Sequence, residues 1–192
     1  MSIATPLLLI LPGWTNSGPE HWQSFWQRKH SNAQRVEQKD WNTPRREDWI
    51  CELDNTISSA NAPLVLIAHS LGCITIVQWA ASARPQQLGK VRGAFLVAPA
   101  DVERSDCMTD LRNFAPIPRK RLPFASLLVA SSNDPYCSLV RAKSLAASWD
   151  SEFHNIGQGG HINAAAGFGE WPEGETLLAT LIIENDKLIA ES

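Results

Sequence analysis

Three residues in this chain are of the types that together perform nucleophilic acyl transfer: Ser70, Asp134 and His161. A serine hydroxyl is a weak nucleophile near neutral pH, so it needs an imidazole to take its proton and a carboxylate to orient that imidazole. Ser70 ends the apolar run Pro63-Leu-Val-Leu-Ile-Ala-His-Ser70, and Asp134 follows Ser126-Leu-Leu-Val-Ala-Ser-Ser-Asn. His161 closes the glycine-rich loop after Glu152-Phe-His-Asn-Ile. If these runs are neighbouring strands, the three side chains meet on one rim of a sheet. Such a site also needs two backbone N–H groups aimed at the oxygen that becomes negative in the transition state. The amide of Leu71 is one candidate. The amide of Trp14, in the loop Leu11-Pro-Gly13-Trp14-Thr-Asn-Ser-Gly18-Pro19, is the other, with Gly13 letting the backbone come close.

The surroundings of Ser70 decide how much the serine means. A sharp turn from strand to helix lifts a serine oxygen clear of the sheet at the positive end of the helix. Ile74, Val77, Gln78 and Ala81 recur at helical spacing beyond it. Small residues are required two positions to either side, where a side chain would strike neighbouring backbone; Ala68 and Gly72 stand there. The usual pattern has glycine at both, so Ala68 is a departure. A serine before a helix also serves as a plain N-cap, and this segment by itself leaves that open.

Rivals exist for the base and the acid. His161 is favoured as base because Gly157, Gly159 and Gly160 let its loop arch over the sheet edge, whereas His154 lies inside a strand pattern. His69 precedes the serine on the strand and must point to the other side, as a packing or supporting residue that could also border the substrate pocket. His21 and His30 flank a helical stretch and read as surface or packing residues. For the acid, Asp134 competes with Asp101 and Asp106, which follow the strand ending near Pro99, and Asn133-Asp134-Pro135 is also good plain turn chemistry.

The elements that must position these residues alternate. Strands are expected near 6–11, 34–38, 63–69, 91–98, 125–131 and 151–156, and helices near 19–29, 46–59, 71–83, 138–149 and 173–185. This alternation predicts an α/β fold: a doubly wound, mostly parallel six-stranded sheet with helices on both faces, formed as one domain over residues 1–192. Residues 100–124 offer only a short helix candidate and a proline-rich return, so no large lid is expected. Of the eight tryptophans, Trp22, Trp26, Trp49, Trp79 and Trp149 fall in helical patterns and should pack, while Trp171 has no assigned place. Trp14 and Trp41 lie beyond strand ends on the proposed rim, where either packing or lining a substrate pocket is open.

Composition suits a compact enzyme. The chain has 192 residues, is 44% hydrophobic and carries a net charge of -3, which provides no basic face for nucleic acid. Arg119-Lys120-Arg121 is flanked by Pro116, Pro118 and Pro123 and reads as a solvated loop. The four cysteines (51, 73, 107, 137) show no C-x-x-C spacing, which argues against a metal site or a disulfide framework and fits a reducing cytoplasm. Cys73 reads as a core residue. Leu7 to Leu11 is short, lacks a basic leader and ends at Pro-Gly, so it is expected to be a strand, with no signal peptide and no membrane span.

Several stretches together resemble one family. Leu11-Pro-Gly-Trp14, Gly18-Pro-Glu-His-Trp-Gln-Ser-Phe-Trp26, Val36-Glu-Gln-Lys-Asp-Trp41, Ala68-His-Ser-Leu-Gly72, Ser132-Asn-Asp-Pro135 and Gly160-His161 are similar to the YdeN and retinoblastoma-binding-protein-nine family of small serine hydrolases, within the α/β-hydrolase superfamily. The resemblance implies a minimal hydrolase fold with strand order 2-1-3-4-5-6 and a triad of Ser70, Asp134 and His161. The expected activity is hydrolysis of a small-molecule ester, or another acyl substrate, with no cofactor and no metal. A catalytically weak protein-binding module and a non-hydrolytic acyltransferase are the competing expectations.

Overall fold

The computed structural model describes residues 5–190. Six strands form its sheet: β1 Leu7–Leu11, β2 Ala33–Arg35, β3 Leu64–His69, β4 Val91–Val97, β5 Ala125–Ala130 and β6 Glu152–Asn155. Six α-helices accompany them: α1 Trp22–Lys29, α2 Arg46–Ser59, α3 Leu71–Ser82, α4 Pro85–Leu88, α5 Leu139–Trp149 and α6 Pro172–Ala190. Short 3-10 turns cover Thr109–Phe114 and Ala164–Ala166. Strand order is β2-β1-β3-β4-β5-β6 and every pairing is parallel. This is the expected order.

Alternation along the strands builds two cores. Leu9, Leu11, Leu64, Leu66, Ala94, Leu96 and Leu128 face one side, where Trp49, Leu53 and Ile57 of α2, Trp79 of α3 and Trp149 of α5 cover them. Leu8, Ile10, Val65, Ile67, Phe95, Val97, Leu127 and Val129 face the other, against Trp22 and Trp26 of α1, Trp171, and Leu178 and Leu181 of α6. Two-sided burial is why the central strands read as unbroken apolar runs rather than as alternating ones. Each fully buried side chain of this size contributes about 1.5–3 kcal/mol. Trp171, unplaced from sequence, stacks on Trp26 with ring centroids 5.9 Å apart.

Element ends differ from expectation for local reasons. The first helix starts at Trp22 rather than near 19 because His21 caps it, its side chain accepting from the Gln23 N–H. The second strand stops at Arg35, three residues short of 38, and the last covers only Glu152–Asn155. Helix α4, absent from the sequence reading, is one turn started by Pro85 in its first position. The C-terminal ends of β1, β3, β5 and β6 lie on one rim, since Leu11 pairs with Ala68 and Ala130 with Asn155. Beyond that rim stand Gly13, Ser70, Asp134 and His161.

Candidate active site

Ser70 sits in the turn between β3 and α3 at φ 54 and ψ -119, a conformation that costs a non-glycine residue about 1–3 kcal/mol. The surroundings hold it there. Its N–H donates to the Val97 carbonyl at 3.0 Å, and its own carbonyl accepts from Cys73 N at 3.1 Å and Ala100 N at 3.3 Å. The hydroxyl makes no capping bond to the helix, so the plain N-cap role does not describe it. Close packing explains the small neighbours. A Cβ on Gly72 would lie 2.4 Å from the Leu11 carbonyl oxygen, and one on Gly13 would lie 2.8 Å from Ser70 Cβ.

The loop after β1 is fixed by partly buried polar contacts. Arg35 donates to the Asn16 side chain at 2.6 Å, to the Ser17 carbonyl at 3.0 Å and to Ser24 Oγ at 2.8 Å. Thr15 and Asn16 both take positive φ, 65 and 66, and the Thr15 N–H donates to the Trp41 carbonyl. Among the described residues, the N–H groups of Trp14 and Leu71 donate no hydrogen bond, and Leu71 is in the first turn of α3, where helix geometry leaves the amide free. Two unspent donors therefore flank Ser70.

His161 and Asp134 face each other. His161 Nδ1 lies 3.0 Å from Asp134 Oδ1 and 2.9 Å from Oδ2, with the Asp134 side chain only 2% exposed. Asp134 Oδ1 also accepts from Tyr136 N at 2.8 Å. A carboxylate can only accept, so Nδ1 carries the proton, and the neutral ring presents a bare Nε2. Gly160 at φ 54 gives the loop its bend, and its N–H is held by Asn133 Oδ1 at 2.8 Å. The Tyr136 ring packs on the His161 ring at a centroid distance of 4.6 Å; neither Tyr136 nor that contact was anticipated, although the Asp134-Pro135 turn was a signal for it.

The rivals are engaged elsewhere. Asp101 pairs with Arg141 at 3.1 Å, and the exposed Asp106 pairs with Arg104. His154 lies exposed on β6, and His30 meets Glu175 Oε1 at 3.0 Å. Cys73 and Cys137 are buried thiols, pushed up by desolvation, Cys137 to about 12 and Cys73 further still, and all four cysteines are free.

Gly13, Trp14, His69, Ser70 and His161 line one pocket of about 300 Å3, together with His21, Tyr136 and a wall of Val102, Arg104, Met108 and Leu111. No hydrogen bond joins Ser70 Oγ to His161 Nε2 in this state, although both open onto that pocket; such bonds are often loose without substrate. One expectation is corrected. Trp41 does not line the pocket: its ring packs edge-on against Trp49, centroids 5.5 Å apart, at the border of the core. Of the two readings open for His21, packing describes it: it lies buried at the pocket, its ring against His69. A larger depression of about 1310 Å3 lies at the opposite rim, where β3, β4 and β5 begin, among Pro63, Val91 and Ala125, and none of the candidate residues reaches it.

A strained serine at a strand–helix turn, an acid-paired histidine and two free amides form an arrangement able to attack a carbonyl and hold the resulting oxyanion. The model of the serine hydrolase family matches residues 8–180. The chain belongs to the serine hydrolase family. It is similar to YdeN of Bacillus subtilis (strain 168), at 26% identity over 178 residues that cover 88% of this chain and 92% of that protein. Among solved structures, it is similar to a YdeN-like hydrolase of Pectobacterium atrosepticum, at 33% identity and a TM-score of 0.81, covering 93% of this chain and 91% of that one. Est1E of Butyrivibrio proteoclasticus, solved with ferulic acid bound, shares the α/β-hydrolase fold at 12% identity and a TM-score of 0.69, covering 98% and 91%. Among the described residues, no helix is long and apolar enough to cross a membrane.

Proposed function

We propose that this chain is a carboxylesterase acting on small esters through an acyl-enzyme, working in a reducing cytoplasm. The observation that carries the reading is the pairing of His161 Nδ1 with Asp134 at 2.9–3.0 Å, which leaves Nε2 free in the pocket that Ser70 lines. Ser70 Oγ attacks the ester carbonyl while His161 Nε2 takes the hydroxyl proton. The Leu71 and Trp14 amides stabilise the tetrahedral oxyanion, and Asp134 stabilises the imidazolium. The C–O bond to the alcohol then breaks, and the alcohol leaves with the proton from His161. Water, deprotonated by the same Nε2, attacks the acyl-serine and releases the carboxylic acid. Each step balances with water as the only co-reactant.

A fluorophosphonate probe tests this directly, because it reacts only with an activated serine. Labelling is expected at Ser70 in the wild type and absent from Ser70→Ala and His161→Ala. Labelling that persists in Ser70→Ala would overturn the assignment.

A further inference from the structure

His21 and His69 are buried at the pocket, yet the acyl-transfer steps use neither ring. His69 Nε2 lies 2.8 Å from the carbonyl oxygen of His161. A carbonyl only accepts, so Nε2–H donates, and with burial holding the ring neutral its Nδ1 is a bare acceptor without a partner among the described residues. His21 is arranged the other way. Its Nδ1 accepts from Gln23 N at 3.2 Å as the cap of α1, which leaves the proton of the neutral ring on Nε2. That donor is buried and makes no hydrogen bond. The His21 and His69 rings meet edge to face with centroids 4.8 Å apart, and the His69 and His161 rings are also 4.8 Å apart. An unspent buried donor thus stands beside a ring with an unspent acceptor. Leaving the buried His21 donor unpaired is unfavourable, and the acceptor of the adjoining His69 ring is the neighbour able to take it.

We propose that His21 and His69 form a two-imidazole relay that positions His161: the start of α1 sets the His21 tautomer, His21 Nε2–H turns onto His69 Nδ1, and His69 Nε2–H holds the His161 carbonyl. A neighbouring contact runs between the same two segments. Trp22, next to His21, donates from Nε1 to the carbonyl of Ile162, next to His161, at 2.9 Å. The loop needs such a hold, because Gly160 and Ile162 both take positive φ, 54 and 48. The charged and titratable groups facing the relay are Arg35 from β2 and His161 itself, and both disfavour a proton on His21. The inference rests on His161 being the catalytic base; His21 and His69 are positioning residues.

Imidazole nitrogen–hydrogen correlation NMR reads the tautomers without reference to activity. Both rings should appear as neutral Nε2–H forms from about pH 5.5 to about 8.5. A protonated Nδ1 or a titration in that range at either ring would overturn the relay. Turnover of p-nitrophenyl butyrate supplies the second readout. His69→Leu should lower kcat about 100-fold with KM within about threefold, because a small misplacement of the base is costly. His69→Gln, which keeps a donor where Nε2 stood, should recover to within about tenfold of wild type. His21→Asn keeps the capping oxygen but loses the far donor, and should lower kcat about five- to tenfold at unchanged KM. Equal losses in folded His69→Gln and His69→Leu would refute the relay, as would a His21→Asn effect confined to KM. If His69→Leu does not fold, the wild-type spectra and His21→Asn still decide. Full turnover in Ser70→Ala would instead remove the esterase reading and leave the tautomer result standing.

Discussion

Acid should destabilise this fold well above the range where its carboxylates protonate, and two side chains account for it. Burial, with Arg35 and His161 adding repulsion, lowers His21 from 6.5 to about 3, and burial holds His69 well below 6.5. In the unfolded chain each ring binds a proton near pH 6.5, while in the folded chain neither does until far lower. The unfolded state therefore carries more protons below pH 6.5, and stability falls as pH falls. Between pH 8 and pH 5 the linkage amounts to about 2 kcal/mol for His21, and His69 adds to it in the same direction. For a domain of this size the His21 part alone is a drop in Tm of about 5 °C. The depressed carboxylates Asp40, Glu47, Glu103, Asp106 and Glu175 lose their contributions only below their ordinary values of 3.8 and 4.5, outside this window. Urea unfolding at pH values between about 8 and 5 measures the effect. His21→Asn, which caps the helix without titrating, should lose about 2 kcal/mol less than the wild type over the window. A wild-type stability that stays flat between these limits, or an unchanged slope in His21→Asn, would refute the argument.

Three further outcomes are expected. Gly13→Ala places a Cβ 2.8 Å from Ser70 Cβ, so the loop must retreat and kcat should fall about 100-fold with the circular dichroism unchanged; near wild-type turnover would show that the amide of Trp14 has no part in catalysis. Asp134→Asn should lower kcat by about 10³ to 10⁴, while Asp101→Asn and Asp106→Asn change it less than about tenfold, and a crippled Asp101→Asn would move the acid to the loop after β4. In a pocket of about 300 Å3, kcat/KM across p-nitrophenyl esters should level off beyond about six to eight acyl carbons, since further methylenes stay in water and forgo about 0.8 kcal/mol each; a steady rise to long chains would reveal an unrecognised acyl tunnel.

The central strands, and the places of Ser70, Asp134 and His161 just past strand ends, were legible because each depends on a local pattern, whereas the strand order followed from the family resemblance. An apolar run buried on both faces, followed by a serine, an Asp-Pro turn or a glycine loop, requires no long-range information. What escaped the sequence depends on contacts between distant segments. Trp41 follows a strand end as Trp14 does, but the chain carries its ring onto Trp49 and into the core border. His21 reads as the edge of a helix, and only the crossing of α1 over β3 sets its ring against His69, 48 positions along the chain. The β2 boundary moved because beyond Arg35 the pairing with β1 continues by a single bond, the Val36 N–H to the Ile10 carbonyl. The one clue to His21 was its place at the start of a helix, where a side chain must turn back toward the backbone.

The segment after β4 explains why a chain with so little covering its site can still shape a pocket. Glu103 accepts from Ile117 N at 2.8 Å and pairs with Arg119 and Arg141, while Arg141 also holds Asp101. Arg104 grips Asp106 and donates to the Pro135 carbonyl, inside the turn that presents Asp134. Gln78 of α3 reaches across to the Phe114 and Pro116 carbonyls at 2.7 and 2.8 Å. The wall that carries Val102, Met108 and Leu111 is thus tied to α3, to α5 and to the turn bearing the acid. Swinging it outward would break contacts to three elements at once, including those beside Asp134. Such a wall acts as a fixed side of the crevice, preformed before substrate arrives, and not as a hinged cover. The same ion pairs engage the two rival acids: Asp101 and Asp106 hold the wall, while the Asp134 carboxylate is turned inward to His161.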